Sequence, residues 1–193
     1  MDASLNMYEN GRGHSGILIF LDKTSAAVLA KSLKQKVVTG SSTQSELVSL
    51  NEGVMHILWI ANILLDVLPD VPVYPIKIYN DNQSMITLVK RPVVNRQGRS
   101  KFMNRALFKV NDNVEAGEIV LLYENTEHLI ADFLTKALYG NRFQQFRARI
   151  MGLDSSESTK MLGSSRVEVQ KNISFLIEAE KRNLIQILWL EAE

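Results

Sequence analysis

The sequence predicts an α/β fold whose strands run in mixed directions, and three observations predict it. A continuously apolar strand at residues 16–21 leads through a turn at 22–24 into a small, apolar return strand at 26–30, the pattern of a hairpin. One long amphipathic helix follows at 43–68. After it, single strands alternate with helical segments, which calls for helices packed on a sheet. With 193 residues, 46% of them hydrophobic, the chain is long enough to bury a core.

Each element has a local cause. Leu47, Leu50, Val54, Leu58, Ala61, Leu65 and Leu68 recur at three- and four-residue steps and form one apolar stripe on the long helix. Ser41, Ser42 and Thr43 offer caps at its start, and Pro69 and Pro72 stop it. Between hairpin and helix, residues 31–36 read as a basic connector. In the strand at 74–79, Ile76 and Ile78 alternate with Lys77 and Tyr79, and it ends at Asn80-Asp81. A short helix at 84–90 closes before Pro92, and Gly117 introduces a strand at 119–123. Thr126 is the expected cap of a helix carrying Leu129, Ile130, Phe133, Leu134 and Leu138, with Gly140 as its break and a further helix holding Phe143, Phe146 and Ile150. Composition then changes. Residues 1–152 form the body, 153–166 a Ser-rich linker and 167–193 a helical tail, whose Ile173, Leu176, Ile177, Leu184, Ile187 and Leu188 suit docking on the body or helix-mediated self-association.

Composition removes several classes of function. The chain has no cysteine, which excludes a disulfide scaffold, a thiol nucleophile, a cysteine-ligated zinc and an iron–sulfur cluster. Its histidines, His14, His56 and His128, stand far apart, which argues against a histidine metal site. Twenty-two basic residues against 21 acidic leave a net charge of +1, so a nucleic-acid role must rest on local clusters. One such cluster is Lys90, Arg91, Arg96, Arg99, Lys101, Arg105 and Lys109, with no acidic residue among them. The most apolar stretch, 54–68, is interrupted by His56, Asn62 and Asp66 and reads as a core helix. With no apolar leader visible, the expectation is an intracellular protein without membrane contact.

Four carboxylates stand at the ends or beginnings of elements: Asp2, Glu46, Asp81 and Asp132. Asp81 follows a strand and precedes a helix, the place where open α/β sheets put their sites. Glu46 lies near the start of the long helix, at the border of its apolar stripe, and Asp132 is set among Ile130, Ala131 and Phe133. Converging carboxylates suit hard divalent cations, which take anionic oxygen and retain part of their water shell. Each also has a structural alternative. Glu46 could close a capping box with Thr43, Asp2 could be solvated, Asp81 could cap the next helix, and Asp132 could pair with Lys136 four residues on. Taken singly, the structural alternative is the better one for each.

The local strings carry more. Gly13-His-Ser-Gly16, Lys34-Gln-Lys36, Ser41-Ser-Thr-Gln-Ser-Glu46, Tyr79-Asn-Asp81-Asn-Gln-Ser84, Gly117-Glu-Ile119 and Ala131-Asp-Phe-Leu-Thr-Lys136 occur in this order. Together they resemble the ribonuclease H domain at the end of copia-type retrotransposon Pol polyproteins, over roughly residues 2–152. The resemblance implies a ribonuclease H-like mixed sheet flanked by helices, with Asp2, Glu46, Asp81 and Asp132 as catalytic and metal-binding residues. It also implies two Mg²⁺ ions, with Mn²⁺ able to substitute, and cleavage of the RNA strand of an RNA–DNA hybrid. A reverse transcriptase domain in a parent polyprotein is the implied partner, and the cytoplasm, nucleus or virus-like particles the implied location.

The chain departs from the family pattern in places. Only Met1 precedes Asp2, so the strand that carries the first aspartate is expected to be missing and the domain truncated. Phe102 stands where a histidine is usual and Ala137 where a proline is usual. Nucleic-acid contacts are expected from Lys31, Lys34, Lys36, Arg96, Arg99, Lys101 and Arg105 to phosphates, and from Asn82 and Gln83 to 2′-hydroxyls, with solvated-face and capping roles as the alternatives. The competing readings are a catalytically degenerate relative that binds without cutting, and an integrase-like transferase, which the order Asp, Glu, Asp, Asp disfavours.

Overall fold

A computed structural model describes residues 1–23, 25–91 and 101–153. The first of two compact units spans Met1–Gly152. Its elements run β1 (Asp2–Ser4), β2 (Arg12–Phe20), β3 (Ala27–Val38), α1 (Ser42–Val67), β4 (Ile76–Asn80), α2 (Gln83–Lys90), α3 (Lys101–Glu115), β5 (Ile119–Tyr123), a 3-10 helix (Ile130–Leu134) and α4 (Gly140–Ile150). The architecture is mixed α/β. β1, β2 and β3 form an antiparallel sheet in that order, while β4 and β5 pair in parallel, Ile76 opposite Ile119 and Asn80 opposite Tyr123. The expected linker beyond Leu153 and the helical tail lie outside the described residues, as do Arg96 and Arg99.

The expectation that the first strand is missing is corrected. Three residues suffice to make it, because β2 offers a free edge: Asp2 pairs with Gly16, Ala3 with Ser15 and Ser4 with His14. The same segment reaches across to β4. The Met1 backbone nitrogen donates to the Tyr79 carbonyl at 2.9 Å, and Asn80 Nδ2 donates to the Met1 carbonyl at 3.0 Å. β1 therefore stands between the two sheets and satisfies backbone groups of both.

α1 packs against β1, β2, α2 and α3 and supplies Leu47, Leu50 and Val54 to a core shared with Ile17, Ile78, Met85, Leu107 and Leu121. The Ser41 side chain caps it by accepting from the Gln44 amide at 3.3 Å. By length and composition it could cross a membrane, yet its inner face is buried in this core and carries Ser45, Glu46 and Ser49.

Three further corrections concern elements. Residues 31–36 are the second half of β3, where Lys31 and Gln35 turn toward α1 while Lys34 and Lys36 are exposed. Lysines spread over both faces hid the period of two. α3 falls in the basic stretch, where Met103, Ala106, Leu107 and Val110 are buried at helical spacing beneath exposed Arg105 and Lys109. The helix expected after Thr126 is a five-residue 3-10 helix with Leu129 at its N-cap and no side-chain cap, and the Thr126 hydroxyl donates to Asp81. Gly140 opens α4 rather than ending a helix.

The 3-10 helix packs on β2 on the face away from α1. Gly16 permits this approach: a Cβ there would stand 2.8 Å from the Thr135 methyl and 3.0 Å from the Ala131 carbonyl. Gly16 is the register partner of Asp2, so this close contact is what brings Asp132 beside Asp2.

Candidate metal centre

Asp2 opens β1, Glu46 lies one turn into α1, and Asp81 follows immediately after β4. One carboxylate oxygen from each lies within 4.8 Å of the others, although the residues are up to 79 positions apart in sequence. Asp2 is 1% exposed and Glu46 4%, while Asp81 is half-buried. They line an open depression of about 470 Å³ together with Asn82, Gln83 and Lys136.

Neighbouring groups aim these oxygens. Glu46 accepts from the Ala3 amide at 3.1 Å through Oε1 and from Asn80 Nδ2 at 2.9 Å through Oε2. Asp81 Oδ2 accepts from the Thr126 hydroxyl at 2.6 Å, and Asp2 Oδ2 accepts from the Thr135 hydroxyl. Burial and then the charge of Asp2 push the Glu46 carboxyl up to about 8, against the opposing hydrogen bond from Asn80. A carboxyl so disfavoured as an anion is one that a cation would ionise. The donor set is all oxygen and anionic, which fits a hard divalent ion such as Mg²⁺.

Asp132 belongs to a different arrangement. It is fully buried, and both its oxygens are engaged by cations: Oδ1 by Lys136 Nζ at 2.8 Å and Oδ2 by Arg142 at 2.9 Å. Burial raises its carboxyl above the usual range despite the hydrogen bond from Lys136. Lys136 reaches on toward Asp2, 3.8 Å away. Burial works against the charged ammonium, but its bond to Asp132 and the charges of Asp2, Asp132 and Asp81 outweigh this and raise its pKa. Of the four carboxylates picked out in the sequence, three meet directly, and the fourth joins them through Lys136.

The structural alternatives resolve one by one. Glu46 is not in a capping box, since Ser41 caps α1, and Asp2 is not solvated. Asn82, not Asp81, caps α2, accepting from the Met85 amide at 2.9 Å. Asp132 does pair with Lys136. Asn82 and exposed Gln83 border the depression. Lys31 instead turns to His56 Nε2 at 3.0 Å, Lys34 lies over the Tyr8 ring, and Lys36 is exposed away from the depression's lining. Lys101 opens α3 and Arg105 is exposed on it. Thr135, Asn80 and Arg142 were not singled out from sequence. The first two lie inside the quoted strings, whereas Arg142 has no local signal at all.

Comparison with known proteins adds an independent observation. Over 136 residues, 70% of its length, the chain is 30% identical to the retrovirus-related Pol polyproteins from transposons RE1 and RE2 of Arabidopsis thaliana. The similarity is to transposon Pol polyproteins. The chain spans 9% of the length of these relatives. No family model matches it, and no solved structure does.

Proposed function

We propose that this chain is a divalent-metal-dependent endonuclease of the ribonuclease H type, a domain of a retrotransposon Pol polyprotein that cleaves the RNA strand of RNA–DNA hybrids. The observation that carries this reading is the meeting of Asp2, Glu46 and Asp81 from β1, α1 and the end of β4 within 4.8 Å. A short strand flanked by an antiparallel hairpin on one side and a parallel pair on the other, with an acidic helix across it, is the arrangement a ribonuclease H-like fold calls for.

In this reading Asp2, Glu46 and Asp81 hold the metal, Mg²⁺ with Mn²⁺ able to replace it. A divalent ion bound there supplies acidity to a water and offsets charge that builds on the phosphate. The protein's part is positional. The Ala3 amide and Asn80 fix both Glu46 oxygens, and Thr126 fixes Asp81, so the donors are set before substrate arrives. Hydrolysis adds water across the phosphodiester and leaves a 3′-hydroxyl and a 5′-phosphate. Gln83 and Asn82 lie at the rim, and in this reading they would meet 2′-hydroxyls. Lys34, Lys36 and Arg105 are exposed cations suited to backbone phosphates. A reverse transcriptase domain in the same polyprotein would supply the hybrid inside the cell, and residues 167–193 are the candidate segment for self-association.

The test is cleavage of a labelled RNA–DNA hybrid by the full chain. Cutting should require Mg²⁺ or Mn²⁺ and stop with chelator. Asp81→Asn, nearly isosteric, should lower the rate by more than the ~10–100-fold typical when a group behind a metal ligand is changed. A second reading, a remnant that binds hybrid without cutting, draws on Asp132 having both oxygens already engaged. Folded protein that retains the hybrid on a gel yet leaves it intact with either metal would select that reading.

A further inference from the structure

Of the four carboxylates the resemblance implies as metal ligands, Asp132 stands outside the trio that meets, and a side chain of the protein already spans it and Asp2. Lys136 Nζ stands 2.8 Å from Asp132 Oδ1 and 3.8 Å from Asp2 Oδ2, and so bridges carboxylates from β1 and the 3-10 helix. It does not arrive there as a loose surface chain. The Lys136 amide donates to the Asp132 carbonyl at 2.9 Å, which fixes the backbone one turn beyond the aspartate and directs the side chain back over it. Arg142 takes the other Asp132 oxygen at 2.9 Å and is itself anchored on the Thr126 carbonyl.

We propose that the Lys136 ammonium is a built-in cation occupying the seat between Asp2 and Asp132, so that the chain takes up one divalent ion, at Asp2, Glu46 and Asp81, and not two. This deepens the metal-dependent reading above and rests on it. Charge favours it: Lys136 and Arg142 already take both oxygens of Asp132, so the anionic oxygens left for a divalent ion are those of Asp2, Glu46 and Asp81. A second ion would have to displace Lys136 from a fully buried carboxylate while lying close to Arg142 and the first ion, whose like charges would repel it. Lys136 is thus a positioning residue that sets how many ions the site accepts.

The number of ions tests this without reference to activity. Full-length protein would be titrated with Mn²⁺ alone, with bound ion counted from the loss of the free-ion electron paramagnetic resonance signal. The wild type should bind one Mn²⁺ per chain. Lys136→Met, which retains the stem and removes the charge, should bind two and show the broadened signal of a coupled pair. Lys136→Arg, which keeps the charge, should stay at one and serves as the folded control. Two ions in the wild type would overturn the inference and leave the metal-dependent reading standing. One ion in both wild type and Lys136→Met would also overturn it, since something other than the ammonium would then exclude the second. No bound ion in any of the three would remove this inference and the metal-dependent reading together.

Discussion

The two ends of the carboxylate row show how differently one fold can treat the same chemical group. At one end, Glu46 lies buried beside Asp2 with an amide and Asn80 as its hydrogen-bond donors, and its carboxyl is driven up to about 8. At the other end, Asp132 is buried still more completely, yet Lys136 and Arg142 each take one of its oxygens. The first end is built to wait for a cation, whereas the second brings its own. Burial alone does not make a metal site. What distinguishes one is buried acidity whose oxygens are not both taken by cationic side chains, as those of Asp132 are.

The comparison can be broken most sharply by pH. The folded-state pKa of Glu46 is about 8, above its ordinary value of 4.5, so the folded chain holds a proton that the unfolded chain releases. The resulting stability is fully present below about 4.5 and is lost as pH rises through about 8. The metal-free protein should therefore weaken across that window by at most ~1.4 kcal/mol per pH unit. Thermal melts in chelator should show the decline, Mg²⁺ should reverse it at high pH, and Glu46→Gln should flatten it. A wild-type melting temperature that does not fall between pH 5 and 8 would sink the claim.

A smaller effect is expected at the other end. Asp132→Asn removes the charge on which Lys136 and Arg142 converge, and urea unfolding should register a loss of about 1–3 kcal/mol. The lower part of that range is expected, because both cationic side chains are roughly 40% exposed and can turn to water. No loss would mean that the end containing Asp132 is held by packing alone. The smallest change concerns Thr135, whose hydroxyl donates to Asp2 where the two ends meet. Thr135→Val should cost about 1 kcal/mol in the same measurement. A much larger loss would indicate that the two ends form one cooperative network.

Much of this was legible in the letters. The stripe expected from Leu47 to Leu68 is the buried face of α1 as far as Ala61, with Leu65 half-buried and Leu68 exposed, and the Ile76/Ile78 alternation marks β4, because both periods are written in apolar spacing. α3 is masked in the letters although Met103, Leu107 and Val110 have helical spacing, because arginine and lysine dominate the stretch around them. With only Met1 before Asp2 the letters carry no strand pattern there, and β1 forms because β2 pairs with it and Asn80 donates to the Met1 carbonyl. Arg142 lies ten residues beyond Asp132, past a helix boundary, so no local spacing could bring the two together.

By itself, then, the sequence determined the periodicities, the caps and stops, and the identity of the residues able to hold a cation. Those properties depend on neighbours within a turn or two, where backbone geometry is fixed by residue type. Which acids meet, which are already neutralised, and that Asn82 and not Asp81 caps α2 were decided by tertiary packing. The physical reason is range. The state of a buried carboxylate depends on desolvation and on charges brought within a few ångströms by distant segments, and only the closed structure sets those distances.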